Sequence, residues 1–256
     1  MRYIVALMGA ALAALLFMAP TSASAGHATI RNLPRVVPAH SLQAARNAGW
    51  QSENWSGYAI TGSTYTSVTG TWTVPTVQPS SSDAYSSSWV GIDGYNDGDL
   101  IQTGTEQDSI GGQAEYQAWW EILPAAETPI SSITVSPGDT IRASITQGTG
   151  GEWTISIEDL TSGQTFSTQQ SYSGPLSSAE WIEEAPQVNG SIAPMANYGE
   201  SSFVPETVNS GSPGFTSSDA GVLVQNGVQV STPSDPNAET NGFNVAYGAT
   251  PPSPPA

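Results

Sequence analysis

The chain has 256 residues, of which 22 are Asp or Glu and only five are Arg, Lys being absent. Its 38% of hydrophobic residues and eight Trp suffice for a folded core and exclude a disordered chain, while the absence of Cys excludes disulfides and a thiolate nucleophile. Residues 51–256 contain all 22 acids and one base, Arg142, so this segment carries 21 net negative charges and would repel nucleic acid and anionic membrane surfaces.

The N-terminus has the pattern of a secretory signal. Arg2 provides the positive start, Ile4 to Ala19 the apolar stretch, and Ser22 to Ala25 a small-residue cleavage site. The apolar stretch is shorter than the ~20 residues that a membrane span requires, which favours a signal peptide over residues 1–25 against a membrane anchor. We therefore expect a secreted, extracellular protein with no membrane partner.

Residues 26–50 differ from the rest of the chain, with three Arg, two His and no acid. Because the composition changes to Ser, Thr, Gly, Val, Trp and Tyr from Asn54 onward, we predict a basic propeptide over residues 26–50, the alternative being a disordered extension. Opposite charges attract in a partly desolvated groove, so this segment is expected to block an acidic cleft at neutral pH. In acid the carboxylates would lose their charge near pH ~4, and the segment would be released and cut between about residues 45 and 53.

Residues 51–248 are predicted to be almost entirely β. Short stretches alternate between apolar and polar residues, which is typical of half-buried strands. Turn signals separate them at Ser136–Asp139 and at Gln225–Gly227, where Asn-Gly favours a type I′ hairpin. The strand-like runs are Tyr65–Val74, Ile133–Val135, Ile141–Ile145, Trp153–Ile157, Val222–Val224 and Val228–Val230. The pattern predicts one antiparallel sandwich or barrel, followed by a loose Pro-rich tail over residues 249–256.

A strand over Glu115–Leu123 would have one polar and one apolar face. Alternation places four residues on the polar face: Glu115, Gln117, Trp119 and Glu121. The opposite face carries four residues suited to a core: Tyr116, Ala118, Trp120 and Ile122. Two carboxylates, an amide and an indole suit the floor of a polar binding groove, and a solvated outer face is the alternative.

Three Glu residues lie among apolar residues in the run Ala179–Pro186. In a strand, Glu183 points away from the side that Glu180 and Glu184 share, so not all three can face water. A carboxyl turned inward needs partners or a shifted pKa, and such groups tend to be functional. From the residues alone, catalysis and a solvated sheet edge both remain open.

We expect no metal site. The run Asn96–Asp99 could suggest calcium, but it lacks the other positions of an EF-hand loop, including the Glu at its end, so a plain turn is favoured. The two His residues, His27 and His40, both precede the predicted domain. This placement argues against a His-ligated zinc and against a Ser-His-Asp triad.

Six short motifs follow one another between Asn54 and Glu184, and their order is more specific than any one of them. They are Asn54–Gly57, Val68–Pro75, Trp89–Gly94, Ile101–Gly104, Tyr116–Glu121 and Ala179–Glu184. In sequence and order, they resemble the motifs of the glutamic peptidase family, the eqolisins. The chain resembles a bacterial-type member without the cysteines of the fungal members.

The resemblance implies an antiparallel β-sandwich of two seven-stranded sheets, secretion as a proenzyme, and acid endopeptidase activity on polypeptides without a cofactor. It places the catalytic pair on Gln102 and Glu184, with Glu180 at the first of the family's two spaced glutamates. Five more residues are expected to contact the substrate: Trp89, Asp93, Gln117, Trp119 and Glu121. Gln117 stands where fungal members often have Asp, so hydrogen bonding there is expected to differ.

This pair is chemically sufficient for amide hydrolysis, which needs a base for water, a donor for the oxyanion and an acid for the leaving amine. Glu184 could take the water proton and return it to the amine, while Gln102 could hold the water and donate to the oxyanion. The alternative is a secreted carbohydrate-active or lectin-like β-sandwich, because paired carboxylates and cleft aromatics also serve glycosidases. A third class is a non-catalytic binding module. We expect a monomer whose own propeptide is its inhibitor.

Overall fold

The computed structural model describes residues 28–39 and 48–256. The predicted signal peptide over residues 1–25 lies outside the described residues, as do His27, His40 and Arg46. In the described ranges, no helix is long and apolar enough to cross a membrane.

The described residues form nineteen strands and one short 3₁₀ turn over Thr149–Gly151. The strands in the first half are β1 (Ile30–Arg31), β2 (Trp50–Ser52), β3 (Trp55–Thr61), β4 (Ser67–Thr73), β5 (Ser87–Ile92), β6 (Ile101–Ile110), β7 (Gln113–Ile122), β8 (Thr128–Pro129) and β9 (Thr140–Gln147). Those in the second half are β10 (Glu152–Asp159), β11 (Thr165–Ser171), β12 (Ser178–Glu184), β13 (Gln187–Val188), β14 (Ser191–Ile192), β15 (Glu200–Phe203), β16 (Thr207–Val208), β17 (Ala220–Gln225), β18 (Val228–Pro233) and β19 (Phe243–Tyr247).

Most of these strands belong to one hydrogen-bonded sheet that folds over itself into two layers. Its order is β11-β10-β9-β4-β15-β19-β18-β17-β3-β12-β5-β6-β7-β8, with β16 beside β4 and β2 beside β17. Strands β4, β9 and β10 pack against β12, β5 and β6, so the two halves of this path form a sandwich. The resemblance implied two separate sheets, whereas here the strands of both layers are joined into a 16-stranded sheet.

The core lies between these layers because the strands alternate as the sequence predicts. In β4, Val68 and Trp72 are buried while Thr69 and Thr71, which point to the other face, are only half-buried. Gly70 lies on the same buried face, where a Cβ atom would come within 2.3 Å of Val90 Cγ1 on the facing layer. Only glycine permits so close an approach of the two layers at this point.

Both predicted turns are present. The amide of Asp139 donates to the carbonyl oxygen of Ser136 at 3.1 Å, and Gly138 adopts a φ of 87°. Asn226 and Gly227 have φ angles of 52° and 74°, which is the two-residue positive-φ turn expected of a type I′ hairpin. The Asn226–Gly227 turn joins β17 to β18, as the sequence predicts.

The prediction of a strand over Ile133–Val135 is wrong. The backbone groups there find partners outside any ladder: Ile133 N–H donates to the carbonyl oxygen of Ile130 at 3.4 Å, and Thr134 N–H to the side chain of Gln164 at 2.8 Å. Ile133 and Val135 are nevertheless buried. The alternation therefore reflected burial correctly, but burial in a turn-rich segment and not in a strand.

Trp50, the last residue of the predicted propeptide, packs against the folded domain. It begins β2, which runs parallel to β17, and its indole N–H donates to the carbonyl oxygen of Asp219 at 2.8 Å. The ring lies over Gly221, where a Cβ atom would come within 2.1 Å of it. At the other end, residues 249–256 contain no strand, although the Ser253 carbonyl accepts a hydrogen bond from the Asn244 side chain at 3.0 Å.

We predict that Trp50→Ala lowers the free energy of unfolding by about 3–5 kcal/mol, because it removes a large buried ring and leaves a cavity. Val228→Thr is the control, since Val228 is 60% exposed at the hairpin and should change stability by less than about 0.5 kcal/mol. Urea unfolding followed by Trp fluorescence measures both. A Trp50→Ala effect as small as that of the control would place residue 50 outside the domain.

Candidate active site

Strand β12 presents its three glutamates to two different environments, as alternation predicts. Ile182 packs with the indoles of Trp55 and Trp89 on the outer side of its layer, whereas Trp181 packs in the core between the layers. Glu183 shares the side of Trp181, where its carboxyl accepts from Ser88 Oγ at 2.6 Å and from Gln107 Nε2 at 2.7 Å. Glu184 therefore faces the outer cleft, and Glu183 does not.

The carboxyl of Glu184 is fully buried and accepts three N–H hydrogen bonds. Its Oε1 accepts from the side chain of Asn54 at 3.0 Å and from the backbone amide of Leu33 at 2.9 Å. Its Oε2 accepts from the indole of Trp89 at 3.0 Å. Burial raises the pKa of Glu184 well above its usual range, and these three donors oppose that rise.

Gln102 lies on β6, separated from β12 only by β5. Its Nε2 donates to the carbonyl oxygen of Asn32 at 2.9 Å and to Glu121 Oε2 at 3.0 Å. Glu121 is the direct cross-strand partner of Gln102 on β7. The other end of the amide, Gln102 Oε1, is buried without a hydrogen-bond partner. Glu121 thus fixes which way the amide points, and one acceptor in the cleft is left free.

Glu121 is a weak acid in this position. Burial raises its pKa to about 8, and the hydrogen bond from the Asn32 amide and the charge of Arg31 oppose this rise. Its Oε2 accepts both N–H groups, from Asn32 at 2.9 Å and from Gln102, while Oε1 has no partner. A proton on Oε1 leaves both contacts in place, so Glu121 can orient Gln102 in its neutral form.

Indoles form the wall and floor of this cleft. Trp55 and Trp89 meet edge to face with ring centroids 5.0 Å apart, and Trp119 packs in the same cluster. The Trp119 indole N–H donates to Ser87 Oγ at 3.1 Å, so it is held by the sheet and does not reach Glu184. Trp89 is the indole that touches the carboxyl, through its N–H. Trp119 and Glu121, from the predicted polar face of β7, thus lie on the same side of the sheet as Trp89 and Gln102.

Asp93 is not brought to Gln102 and Glu184. It directly follows β5 with a φ of 71°, and its carboxylate accepts from the Tyr172 hydroxyl at 2.6 Å. It also accepts from the backbone amides of Leu176 at 3.0 Å and Ser177 at 2.6 Å. Asp93 therefore anchors the segment between β11 and β12, in contrast to the expected contact with substrate.

Gln117 lies further along the cleft, between two carboxyls that the sequence did not single out. Its Nε2 donates to Glu106 Oε2 at 2.9 Å and to Glu127 Oε1 at 2.8 Å. Burial raises the pKa of Glu127 to about 7 and that of Glu106 well above its usual range. These groups line a pocket of about 470 Å³, beside residues 28–30. In the described part of the chain, no group of three or more His, Cys, Asp or Glu is placed to hold a metal ion.

The N-terminal segment 28–39 lies in the cleft. Ile30 and Arg31 form β1, which pairs antiparallel with β13, and the next two residues contact the predicted catalytic pair. The Arg35 amide donates to the carbonyl oxygen of Gly94 at 2.9 Å. This segment therefore runs across the cleft as an extended chain held on both sides.

The described cations of this segment do not form the ion pairs that the charge contrast predicts. The Arg35 guanidinium donates to two backbone carbonyls and lies 4.2 Å from the ring centroid of Tyr95. Among the described residues, one ion pair is formed, between Arg142 and Glu158, and neither of these residues belongs to segment 28–39. Arg31 acts on Glu121 only through its charge. Backbone hydrogen bonds and aromatic stacking hold the segment here, so salt bridges are not its main attachment.

Asn54 was missed as a site residue. It precedes β3 within the first of the six motifs, and its side chain is buried. Its Nδ2 donates to Glu184 while its Oδ1 accepts from the amide of Val36 at 2.8 Å, so it connects the carboxyl to the N-terminal segment. Its place in the first of the six motifs was the available signal, but spacing alone does not show which residue of a motif turns inward.

Comparison with known proteins identifies the family of this chain. The model of the peptidase A4 family matches residues 53–247. The chain belongs to the peptidase A4 family. Aspergillopepsin-2 of Aspergillus niger is 32% identical to this A4 peptidase over 198 residues, which are 67% of this chain and 70% of that protein. Scytalidopepsin B of Scytalidium lignicola is 36% identical over 137 residues, which are 51% of either chain.

Solved structures give the same assignment. Scytalido-glutamic peptidase bound to a transition state analog inhibitor matches this A4 peptidase with a TM-score of 0.65 and 29% identity, over 76% of this chain and 98% of that one. Aspergilloglutamic peptidase from Aspergillus niger matches with a TM-score of 0.55 and 27% identity, over 64% of this chain and 99% of that one. The predicted family, the all-β sandwich and the assignment as a glutamic endopeptidase are confirmed.

We predict that this protein is more stable in acid than at neutral pH. The pKa is about 8 for Glu121 and Glu183 and about 7 for Glu127, against ~4.3 for an exposed Glu. Between these values the unfolded chain has lost protons that the folded protein keeps, so the free energy of unfolding falls as pH rises. Each such group should contribute on the order of 1 kcal/mol per pH unit.

The measurement is urea unfolding from about pH 4.5 to about pH 8. It is made on the Glu184→Gln chain, which is not expected to digest itself. Adding Glu183→Gln should flatten the pH dependence because an amide does not titrate, whereas Glu239→Gln, at an exposed position, should leave it unchanged. A free energy of unfolding that rises over this range would contradict the prediction.

Proposed function

We propose that this A4 peptidase hydrolyses peptide bonds with Gln102 and Glu184 as its catalytic pair. One observation carries the proposal: the two side chains converge on a single peptide group. Gln102 Nε2 donates to the carbonyl oxygen of Asn32, and Glu184 Oε1 accepts from the amide of Leu33. A side chain on each end of one amide is the arrangement that amide hydrolysis requires.

Glu184 is the general base and acid of this mechanism. As a carboxylate it removes a proton from water as the water oxygen adds to the carbonyl carbon, and it then delivers that proton to the leaving nitrogen. Its position beside the amide nitrogen suits the second step. The indole of Trp89 and the amide of Asn54 hold the carboxyl in place, and both contacts favour its ionised form.

Gln102 stabilises the oxyanion. Its N–H lies 2.9 Å from the carbonyl oxygen on which negative charge develops, and Glu121 fixes the direction of that N–H. The free Gln102 Oε1 is available to accept a hydrogen bond from the attacking water. Because an amide does not titrate, Glu184 is the one member of the pair whose protonation state must be correct, and the N–H donors of Asn54, Trp89 and the bound peptide oppose the rise in its pKa that burial causes.

A carbohydrate-active function is the weaker candidate. A retaining glycosidase needs a second carboxyl to act opposite the first. Here the group that faces the bound carbonyl is the amide of Gln102. Membership of a peptidase family points in the same direction.

Export, regulation and assembly complete the proposal. The pattern of residues 1–25 supports secretion into the extracellular space, and the position of segment 28–39 in the cleft supports a propeptide that inhibits the enzyme. The enzyme acts as a monomer on polypeptide substrates and uses no cofactor, since every group in the mechanism above belongs to the chain.

Glu184→Gln should abolish digestion of a denatured protein at low pH, because the base is lost while the side-chain shape is kept. Gln102→Ala should lower kcat by about 10²–10³-fold, as loss of an oxyanion donor does in other hydrolases. Initial rates on denatured casein at about pH 4, with a polysaccharide as the alternative substrate, measure both. The matched control is Glu183→Gln, one residue along on the opposite face, which should lower the rate less than about tenfold.

If Glu183→Gln were inactive and Glu184→Gln active, the assignment of the base to Glu184 would be wrong. Circular dichroism of each variant shows whether the fold is retained, so a loss of activity through unfolding is recognised.

A synthetic peptide of residues 28–39 should inhibit the processed enzyme competitively. Methylating the Leu33 amide nitrogen removes the donor to Glu184 and should weaken inhibition by about 10–100-fold, the range for a hydrogen bond to a charged group. The control is methylation at Val37, which is 62% exposed. Because neither described arginine of segment 28–39 forms an ion pair with the domain, a tenfold increase in salt should change the inhibition constant less than about threefold. A steep salt dependence would instead show that charge attraction holds the segment in the cleft.

A further inference from the structure

We propose that the Asn32–Leu33 peptide bond is the first substrate of this enzyme, cleaved within the same molecule that carries it. This inference rests on the proposed function and goes beyond inhibition. The segment in the cleft is oriented as a substrate, with one identifiable bond at the catalytic pair.

The carbonyl oxygen of this bond contacts Gln102 and its nitrogen contacts Glu184, which are the contacts that hydrolysis requires. The carbonyl oxygen of Asn32 is 2.9 Å from the N–H donor of Gln102, and the nitrogen of Leu33 is 2.9 Å from Glu184 Oε1. A chain lying in the reverse direction would present an N–H to Gln102 Nε2, which is itself a donor and could not pair with it. The observed direction places the oxyanion donor on the oxygen and the proton donor on the leaving nitrogen.

The chain is fixed on the N-terminal side of this bond. Ile30 and Arg31 pair with Val188 and Gln187 in the short sheet of β1, β13 and β14. One residue earlier, the backbone of Thr29 accepts from the amide of Asn189 at 3.1 Å. An added strand of this kind sets the register of a bound peptide through its backbone, so that the carbonyl of Asn32 is brought to one place.

The chain is also fixed on the C-terminal side. The carbonyl oxygen of Leu33 accepts from the Trp55 indole at 2.9 Å, and that of Pro34 accepts from Asn54 Nδ2 at 3.1 Å. The Val36 amide donates back to Asn54 Oδ1 at 2.8 Å. Asn54 therefore holds both the carboxyl of Glu184 and the stretch after the bond, which keeps the bond and the base in register.

The reaction needs only water and the chain itself. The water oxygen bonds to the carbonyl carbon of Asn32 while Glu184 takes one water proton, and the negative charge on the carbonyl oxygen is stabilised by Gln102. The bond from that carbon to the Leu33 nitrogen then breaks, and Glu184 returns the proton to the nitrogen. The products are a carboxyl terminus at Asn32 and an amino terminus at Leu33.

Two buried oxygen atoms near the bond are suited to accept hydrogen bonds from the attacking water. Gln102 Oε1 and Asn32 Oδ1 are both buried without a hydrogen-bond partner. Buried acceptors without partners are rare in folded proteins, and a water molecule is their usual partner. Such a water would lie beside the carbonyl that it attacks.

Cleavage at this point differs from the cut expected between about residues 45 and 53. Leu33 to Ala39 would stay joined to the domain, so the first cut frees only the half of the cleft that residues 28–32 occupy. Cleavage at this bond also explains how residues 28–32 leave the cleft in acid. The segment is held by backbone hydrogen bonds and aromatic contacts and not by ion pairs of its described arginines, so loss of carboxylate charge in acid would not expel it, whereas hydrolysis would.

The test uses the full chain, purified at neutral pH and shifted to about pH 4. Intact mass and N-terminal sequencing are followed with time, with digestion of denatured casein measured in parallel. We expect a new amino terminus at Leu33, formed at a rate that stays constant over a tenfold range of protein concentration. Glu184→Gln should lower this rate by more than 100-fold, and Leu33→Pro, which removes the N–H facing Glu184, should do the same. Val37→Ala should change it less than twofold.

Cleavage between molecules is tested by adding processed wild-type enzyme to the Glu184→Gln chain, which keeps its own segment in the cleft. The Asn32–Leu33 bond of that chain should be cut at least tenfold more slowly than in the wild type. A rate that grows in proportion to concentration overturns cleavage within one molecule. A chain that digests casein but keeps this bond intact overturns the inference alone, and a chain that cuts neither overturns the proposed function with it.

Discussion

The buried carboxyl of Glu184 is the group on which the rest of the site depends. Leaving a carboxyl fully buried is costly unless donors surround it, and three N–H groups do so here. They come from β5, from the residue before β3, and from the N-terminal segment. The same contacts that make burial tolerable also orient the carboxyl and bind a peptide beside it. Tolerance of the buried carboxyl, its orientation and recognition of a backbone amide thus have one physical origin.

A second consequence of burial concerns the pKa values of the other buried carboxyls. Several carboxyls, among them Glu106, Glu121 and Glu183, are buried and have raised pKa values because burial penalises their charge. Such groups favour the folded state where they are protonated, and the domain has almost no cations to repel one another in acid. Burial of these acids is therefore expected to stabilise the folded protein in acid and to destabilise it at neutral pH.

The fold and the family could be predicted from the sequence because both rest on local order. Alternation in β4 and β7, the Asn226–Gly227 turn and the opposite facing of Glu183 and Glu184 all follow from a period of two residues. The strand prediction over Ile133–Val135 failed because its backbone bonds to Ile130 and to the side chain of Gln164, not to a neighbouring strand. In the same way, only the tertiary structure shows that Trp50, which ends a basic segment, is buried against β17.

By itself, the sequence determined the β architecture, the strong negative charge, the absence of thiol chemistry and the candidate pair Gln102 and Glu184. Only the tertiary structure decided what these side chains touch. Asp93 turned out to anchor a neighbouring segment, Asn54 to join the base to the bound chain, and the basic segment to be held by its backbone more than by its arginines. The reason is physical: a pattern of residues fixes which face a side chain occupies, but hydrogen-bond partners come from strands that are distant in sequence.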